Sequence, residues 1–94
     1  MNMERVMDRA IEHYGVEKQL LVCIEELSEL IKAITKAERY PNDDIKKDDI
    51  AEEMADVYIC IEYLKMIYNI DQEEIESWIN KKIKRLKERM DSER

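Results

Sequence analysis

The sequence has one glycine, one proline and no phenylalanine in 94 residues, and its apolar residues are mostly Ile, Leu, Met and Ala. So little turn chemistry excludes a fold of many short strands joined by tight turns and favours helices. Sulfur and imidazole are equally scarce. Cys23 and Cys60 form no CxxC pair, and His13 is the only histidine, so a Cys/His zinc set cannot be completed and no disulfide framework is implied. Two thiols without a stapling pattern point to a reducing compartment. No cationic-apolar-small segment opens the chain, and no uncharged run approaches the length needed to cross a bilayer. The expectation is therefore a soluble, cytoplasmic protein without a membrane partner.

Positive charge is also in short supply. With 16 Lys and Arg against 23 Asp and Glu, the net charge is -7 and the pI near 4.8. That excludes a general nucleic-acid coat, because binding the polymer backbone requires a basic footprint that displaces counterions. A small anion escorted by a metal ion is still allowed. The length suits one domain, residues 1–94, in which the chain by itself can bury only about two thirds or less of its unfolded surface. A partner subunit would help.

What is present is helical periodicity. Met3, Val6, Met7, Ala10, Ile11 and Tyr14 form a stripe over residues 3–14 that Gly15 stops. A second helix is expected over 17–39, with Leu20, Ile24, Leu27, Ile31 and Ile34 on one side, widened by Cys23, Leu30 and Ala37. It ends at Tyr40-Pro41-Asn42-Asp43-Asp44, the one clear loop. Asp48 or Asp49 is a suitable N-cap for a third helix over 48–69, and Asp71 with Glu74 makes a capping pair for a fourth over 72–91. The predicted fold is all-α, a four-helix bundle completed by oligomerisation.

The acids lie where such a bundle would not ordinarily put them. On helix 2, Glu26 lies just beyond one edge of the apolar stripe and Glu29 further round, with Val22 and Ala33 bracketing them. The third helix is apolar nearly all round, a pattern of burial on several sides. Within it Glu53 and Asp56 project into the sector of Cys60, Tyr63, Leu64 and Ile67, where an ionised carboxylate loses hydration and needs a compensating charge. The i,i+3 spacing places Glu26 beside Glu29 and Glu53 beside Asp56, so two antiparallel helices can aim four carboxylates at one point. Four mutually repelling acids imply a cation. Oxygen donors without Cys or His select Mg²⁺, with Mn²⁺ as the alternative, and Mg²⁺ commonly completes its shell with water and substrate phosphates. A carboxylate-bridged di-iron site is disfavoured, because His13 does not stand three residues after any Glu. The competing reading of the same acids is surface salt bridges with Lys and Arg, the usual role of Glu in Glu/Lys-rich helices.

The two motifs, Glu25-Glu26-Leu27-Ser28-Glu29 and Glu53-Met54-Ala55-Asp56, separated by residues 30–52, resemble the signature of the MazG-like all-α nucleoside triphosphate pyrophosphohydrolases, EExxE followed by ExxD. The resemblance extends over roughly residues 15–90. It implies Mg²⁺-dependent hydrolysis of a nucleoside triphosphate, often a deoxynucleotide, to the monophosphate and pyrophosphate. By carry-over, Glu26, Glu29, Glu53 and Asp56 would hold the metal, which would lower the pKa of a bound water and neutralise the triphosphate. Glu25 points further outward and would be a supporting group or the general base. The family also tends to carry basic residues late in the fourth helix that contact phosphates; here Lys82, Arg85 and Arg89 hold that place.

On the fourth helix these three cluster with Trp78 at the border of the Ile75, Ile79, Ile83, Leu86 and Met90 stripe. Helix-end electrostatics and i,i+4 pairing are the competing explanation for them. Gln19, and with less force His13, Tyr14 and Tyr63, are candidates for a base pocket. Because helices 2 and 3 carry apolar residues on more than one side, a homodimer or homotetramer is expected, with the active cleft completed across subunits. Two other functional readings compete with the enzyme: a non-catalytic helical interaction module, and a family member that binds nucleotides without hydrolysing them.

Overall fold

The computed structural model describes residues 2–41 and 45–93. It has four helices in the order α1 (Met3–Tyr14), α2 (Val16–Arg39), α3 (Ile45–Tyr68) and α4 (Gln72–Ser92). Local chemistry accounts for most of the boundaries. Asn2 caps α1, its Oδ1 accepting the Arg5 N–H at 3.1 Å. Gly15 sits at φ 92°, where a side chain would be strained, and breaks the chain direction between α1 and α2 while its N–H closes onto the Ile11 carbonyl at 2.8 Å. Asn69 at φ 54° ends α3, and Ile70 N–H returns to the Lys65 carbonyl at 2.9 Å in a left-handed cap. At the start of α4 the expected pair is present: Asp71 accepts the Glu74 N–H at 2.9 Å and Glu74 accepts the Asp71 N–H at 3.3 Å.

One boundary differs from expectation. Helix α3 begins at Ile45, so Asp48 lies in its first turn rather than at its cap. There its charge still favours the helix N-terminus. The expected loop begins at Tyr40 and Pro41, and its Asn42, Asp43 and Asp44 lie outside the described residues.

The principal packing is an antiparallel α2/α3 pair, with α1 against α2. Its register brings Cys23 to Cys60 and Glu26 to Asp56. On α2 the buried seam runs through Gln19, Cys23, Glu26, Leu30, Ala33 and Ala37, alternating steps of four and three residues as facing helices require. The expected stripe of Leu20, Ile24, Leu27, Ile31 and Ile34 is a neighbouring seam, and most of it is open: Ile24 is 61% exposed and Ile31 66%. Sequence periodicity identifies both seams, but only the chain's own pairing says which of them closes first.

Closure within one chain is limited. Buried residues among those described are Met7, Gln19, Cys23, Ala33 and Cys60, and α4 is exposed along its length apart from half-buried Ile75. The accessible surface is 8194 Å², whereas a compact monomer of 11.4 kDa would expose about 5800 Å². The radius of gyration, 16.9 Å, likewise exceeds the roughly 12 Å of a compact chain this long. No helix among the described residues is long and apolar enough to cross a membrane.

Candidate metal centre

The α2/α3 register places three acids together. Glu26 from α2 and Glu53 and Asp56 from α3 each present a carboxylate oxygen within 4.8 Å of the others, and all three residues are half-buried. Their helices explain the convergence. Glu26 stands one turn beyond Cys23 on the closed seam of α2, and Asp56 stands one turn before Cys60 on the facing seam of α3. The packed thiols thus anchor the layer directly beneath the acids.

The electrostatics are those of a site short of positive charge. Glu26 has its pKa raised, first by burial, then by its hydrogen bond with Asp56 and by the charges of Asp56, Glu53 and Glu29. Glu53 is raised by burial and by Asp56, Glu29, Glu52 and Asp49. Its Oε2 is shut from solvent and has no hydrogen-bond partner among the described residues. A carboxylate oxygen in that state is costly unless a proton or cation reaches it. The donor set fits a hard divalent cation: it offers oxygens only, converging from two helices. The neighbouring sulfur does not compete as a ligand, since burial above all pushes the Cys60 thiol up to about 12 and keeps it protonated.

The other expected site residues are distributed differently. Glu29 is near enough to raise both Glu26 and Glu53, but its side chain is half exposed and pairs with Lys32 at 3.4 Å. Glu25 is exposed on the outer side of α2, and its carbonyl accepts the Ser28 hydroxyl at 2.7 Å. Gln19 is buried on the closed seam, one turn before Cys23. His13 and Tyr14 make an edge-on ring contact at the end of α1, 4.6 Å between centroids. Tyr63 is half-buried one turn past Cys60. Lys82, Arg85 and Arg89 are exposed on α4, and they are not among the described residues that line the cleft beside Glu53.

Beside the acids, on the side of α2 leading to Arg39, the groove between α2 and α3 opens into a cleft of about 280 Å³ lined by Glu29, Lys32, Ala33, Lys36, Asp49, Glu52 and Glu53. Lys32, Lys36, Asp49 and Glu52 were not among the residues expected from sequence. The available signal was the ladder itself: Lys32 and Lys36 follow Glu29 at three and seven residues, so they lie along the same face.

The family model of the MazG nucleotide pyrophosphohydrolase domain matches residues 15–90, about four fifths of the chain. The chain belongs to the MazG family. The match begins at Gly15 and takes in α2, α3 and nearly all of α4, so it contains both acidic motifs and the cleft beside them. The MazG domain is all-α, in agreement with the four helices, and its presence supports nucleotide pyrophosphohydrolase activity in general class. Comparison with curated proteins and with solved structures returned no match.

Proposed function

We propose that this MazG chain hydrolyses a nucleoside triphosphate, a deoxynucleotide by preference, to the nucleoside monophosphate and pyrophosphate in the presence of Mg²⁺ or Mn²⁺. The observation that carries the proposal is the convergence of Glu26, Glu53 and Asp56 around an unpartnered, solvent-shielded Glu53 Oε2. These three would hold the cation, with Glu29 joining them once its exposed pairing with Lys32 is released, a weak contact to break. A bound divalent cation would supply charge neutralisation for the triphosphate and lower the pKa of an attacking water.

The chain's own groups do the rest. Glu53 and Asp56 share one helical turn and so keep a fixed separation, while Glu26 closes the site from the opposite helix. Glu25, outside the cluster, is assigned to proton removal or to support of the site. Gln19 is assigned to the nucleoside side of the substrate, and Lys82, Arg85 and Arg89 to its phosphates if α4 folds over the cleft in an assembly. The chain is proposed to work as a homodimer or homotetramer in the cytoplasm: about 2400 Å² of surface beyond that of a compact monomer and the open Ile24/Ile31 seam support assembly.

A helical interaction module would also use exposed apolar faces, but it gives no reason for an acid to be buried without a partner. Incubation with ribo- and deoxynucleoside triphosphates, with and without Mg²⁺, followed by ion-exchange separation of the products, decides between them. Monophosphate plus pyrophosphate appearing only with metal is expected. No product from any nucleotide would end the enzymatic reading, and tight nucleotide binding without product would identify a non-hydrolysing member.

A further inference from the structure

We propose that within a single chain Lys32 and Lys36 grip the phosphate tail of the substrate beside the acids, whereas the family resemblance implies that role for Lys82, Arg85 and Arg89, which could reach the phosphates only if α4 folds over the cleft in an assembly. The inference rests on the metal-centre reading above, and four observations carry it.

First, the site and the cleft are continuous. Glu53 belongs both to the convergent acids and to the wall of the cleft that holds the two lysines, so a ligand tethered at the acids extends directly past them. Second, the charges require cations there. The cleft wall carries Glu29, Asp49, Glu52 and Glu53, and a polyphosphate entering among four carboxylates is repelled unless positive groups meet it. Among the lining residues Lys32 and Lys36 are the cations. A lysine ammonium suits this task, since it acts on phosphate as a mobile point charge without demanding a fixed geometry.

Third, the lysines are available. Among the described residues Lys32 pairs with Glu29 alone, at 3.4 Å, with the lysine side chain 68% exposed. Such a pair contributes little and exchanges readily. Binding of a cation by Glu29 would free Lys32 at the moment a phosphate arrives. Fourth, the floor is small. Ala33 is buried between the two lysines on α2, and a larger side chain there would fill the space that the phosphates need. At about 280 Å³ the cleft lies at the lower limit for a small-molecule site. It suits the phosphate tail, with the nucleoside lying outside it.

The test uses the full chain and inorganic tripolyphosphate with Mg²⁺ as the probe, measured by calorimetry, and Mn²⁺ alone, measured by paramagnetic resonance. K32Q/K36Q is expected to weaken tripolyphosphate binding about tenfold or more, the loss of charge-assisted contacts, while Mn²⁺ binding without the anion is retained or tightened. Restoring positive charge with K32R/K36R is expected to recover most of the anion affinity. Wild-type anion affinity in K32Q/K36Q would overturn the assignment. So would loss of anion binding confined to the α4 variant K82Q/R85Q/R89Q, which would put the phosphate grip on the fourth helix. If the wild-type chain binds Mn²⁺ but the lysine variant behaves as wild type, this inference fails and the metal centre stands. If the wild-type chain binds no Mn²⁺ at all, the metal centre fails and the lysine role falls with it.

Discussion

Glu26 on α2 and Asp56 on α3 bring carboxylate oxygens within 4.8 Å of each other across the helix pair, although both are acids. Burial first, and then the neighbouring acids, raise Glu26 above the ordinary carboxylate value, so it takes up a proton more readily than a free carboxylate does. A divalent cation bound among these oxygens would compete with such protons, which makes the stability of the chain a reporter on the site.

The sign follows from linkage. Folding raises Glu26 and Glu53 above their ordinary carboxylate values, so near those values the folded chain holds more protons than the unfolded one. Their contribution to stability is complete below the unfolded pKa and is lost as pH rises through the folded pKa. In EDTA, the melting temperature of the wild type should therefore rise as pH falls from neutrality toward the ordinary carboxylate range, more steeply than that of Glu53→Gln. Excess Mg²⁺ should flatten or reverse the trend, since the cation replaces the protons. Thermal melts across pH, with and without metal, read both effects; identical slopes for wild type and variant would remove Glu53 from the account.

Glu53→Gln separates function from folding. The amide keeps the shape, removes the unpartnered charge at Oε2 and supplies an N–H donor to the crowded acids. Metal-free stability should be equal to or above wild type, while turnover should fall by about a hundredfold or more, as expected for the loss of a metal ligand. Initial rates and urea unfolding on the same preparation test the pair of outcomes. A stable variant with full activity would rule out the assigned role.

The sequence shows the helices well because their signals are local. Gly15, the Asp71/Glu74 box and the stripes of each helix place the elements within a few residues of their observed ends. The acids are legible for the same reason: a charge on a face otherwise apolar is visible on one helix at a time. The pairing register is not local. Nothing in α2 alone says that the Gln19–Cys23–Leu30–Ala33 seam closes within the chain while Ile24 and Ile31 stay open. Without that register the Lys32/Lys36 cleft cannot be found, because its far wall, Asp49 and Glu52, belongs to α3. The start of α3 at Ile45 is not legible in the sequence because Asp48 in the first turn, followed by Asp49, looks like a cap.

The thiols beneath the acids should be inert. Burial, then the neighbouring Cys23, push Cys60 up to about 12, and Cys23 directs its S–H at the Cys60 carbonyl, 3.9 Å away. Because the folded pKa is raised, the stabilising contribution is intact below the ordinary thiol value and disappears as pH climbs from there toward 12. A disulfide reagent at neutral pH should react with neither thiol of the folded chain over minutes and with both after denaturation. Fast native reaction would mean that the α2/α3 seam opens readily.

Gly15 offers a test of the fold independent of the site. A Cβ there would meet nothing within 4 Å, so space is not limiting, but the backbone stands at φ 92°. Gly15→Ala should cost about 1 kcal/mol or more through strain alone. Urea unfolding should show a lower midpoint with an unchanged slope.

Assembly is the last and most general expectation. In a lone chain Ile83 on α4 is 60% exposed, and replacing so open a residue with glutamate would change stability by only a few tenths of a kcal/mol. In an assembly built on the apolar α4 stripe, the same change buries a charge at a subunit contact and should split it. Light scattering on the wild type should give at least twice the chain mass of 11.4 kDa, and Ile83→Glu should lower both that mass and the helical content measured by circular dichroism. The two changes should occur together, because α4 buries almost nothing against its own chain and has little else to hold it in place. A wild type that is fully helical at the mass of one chain would show instead that the helices persist with these faces open to water.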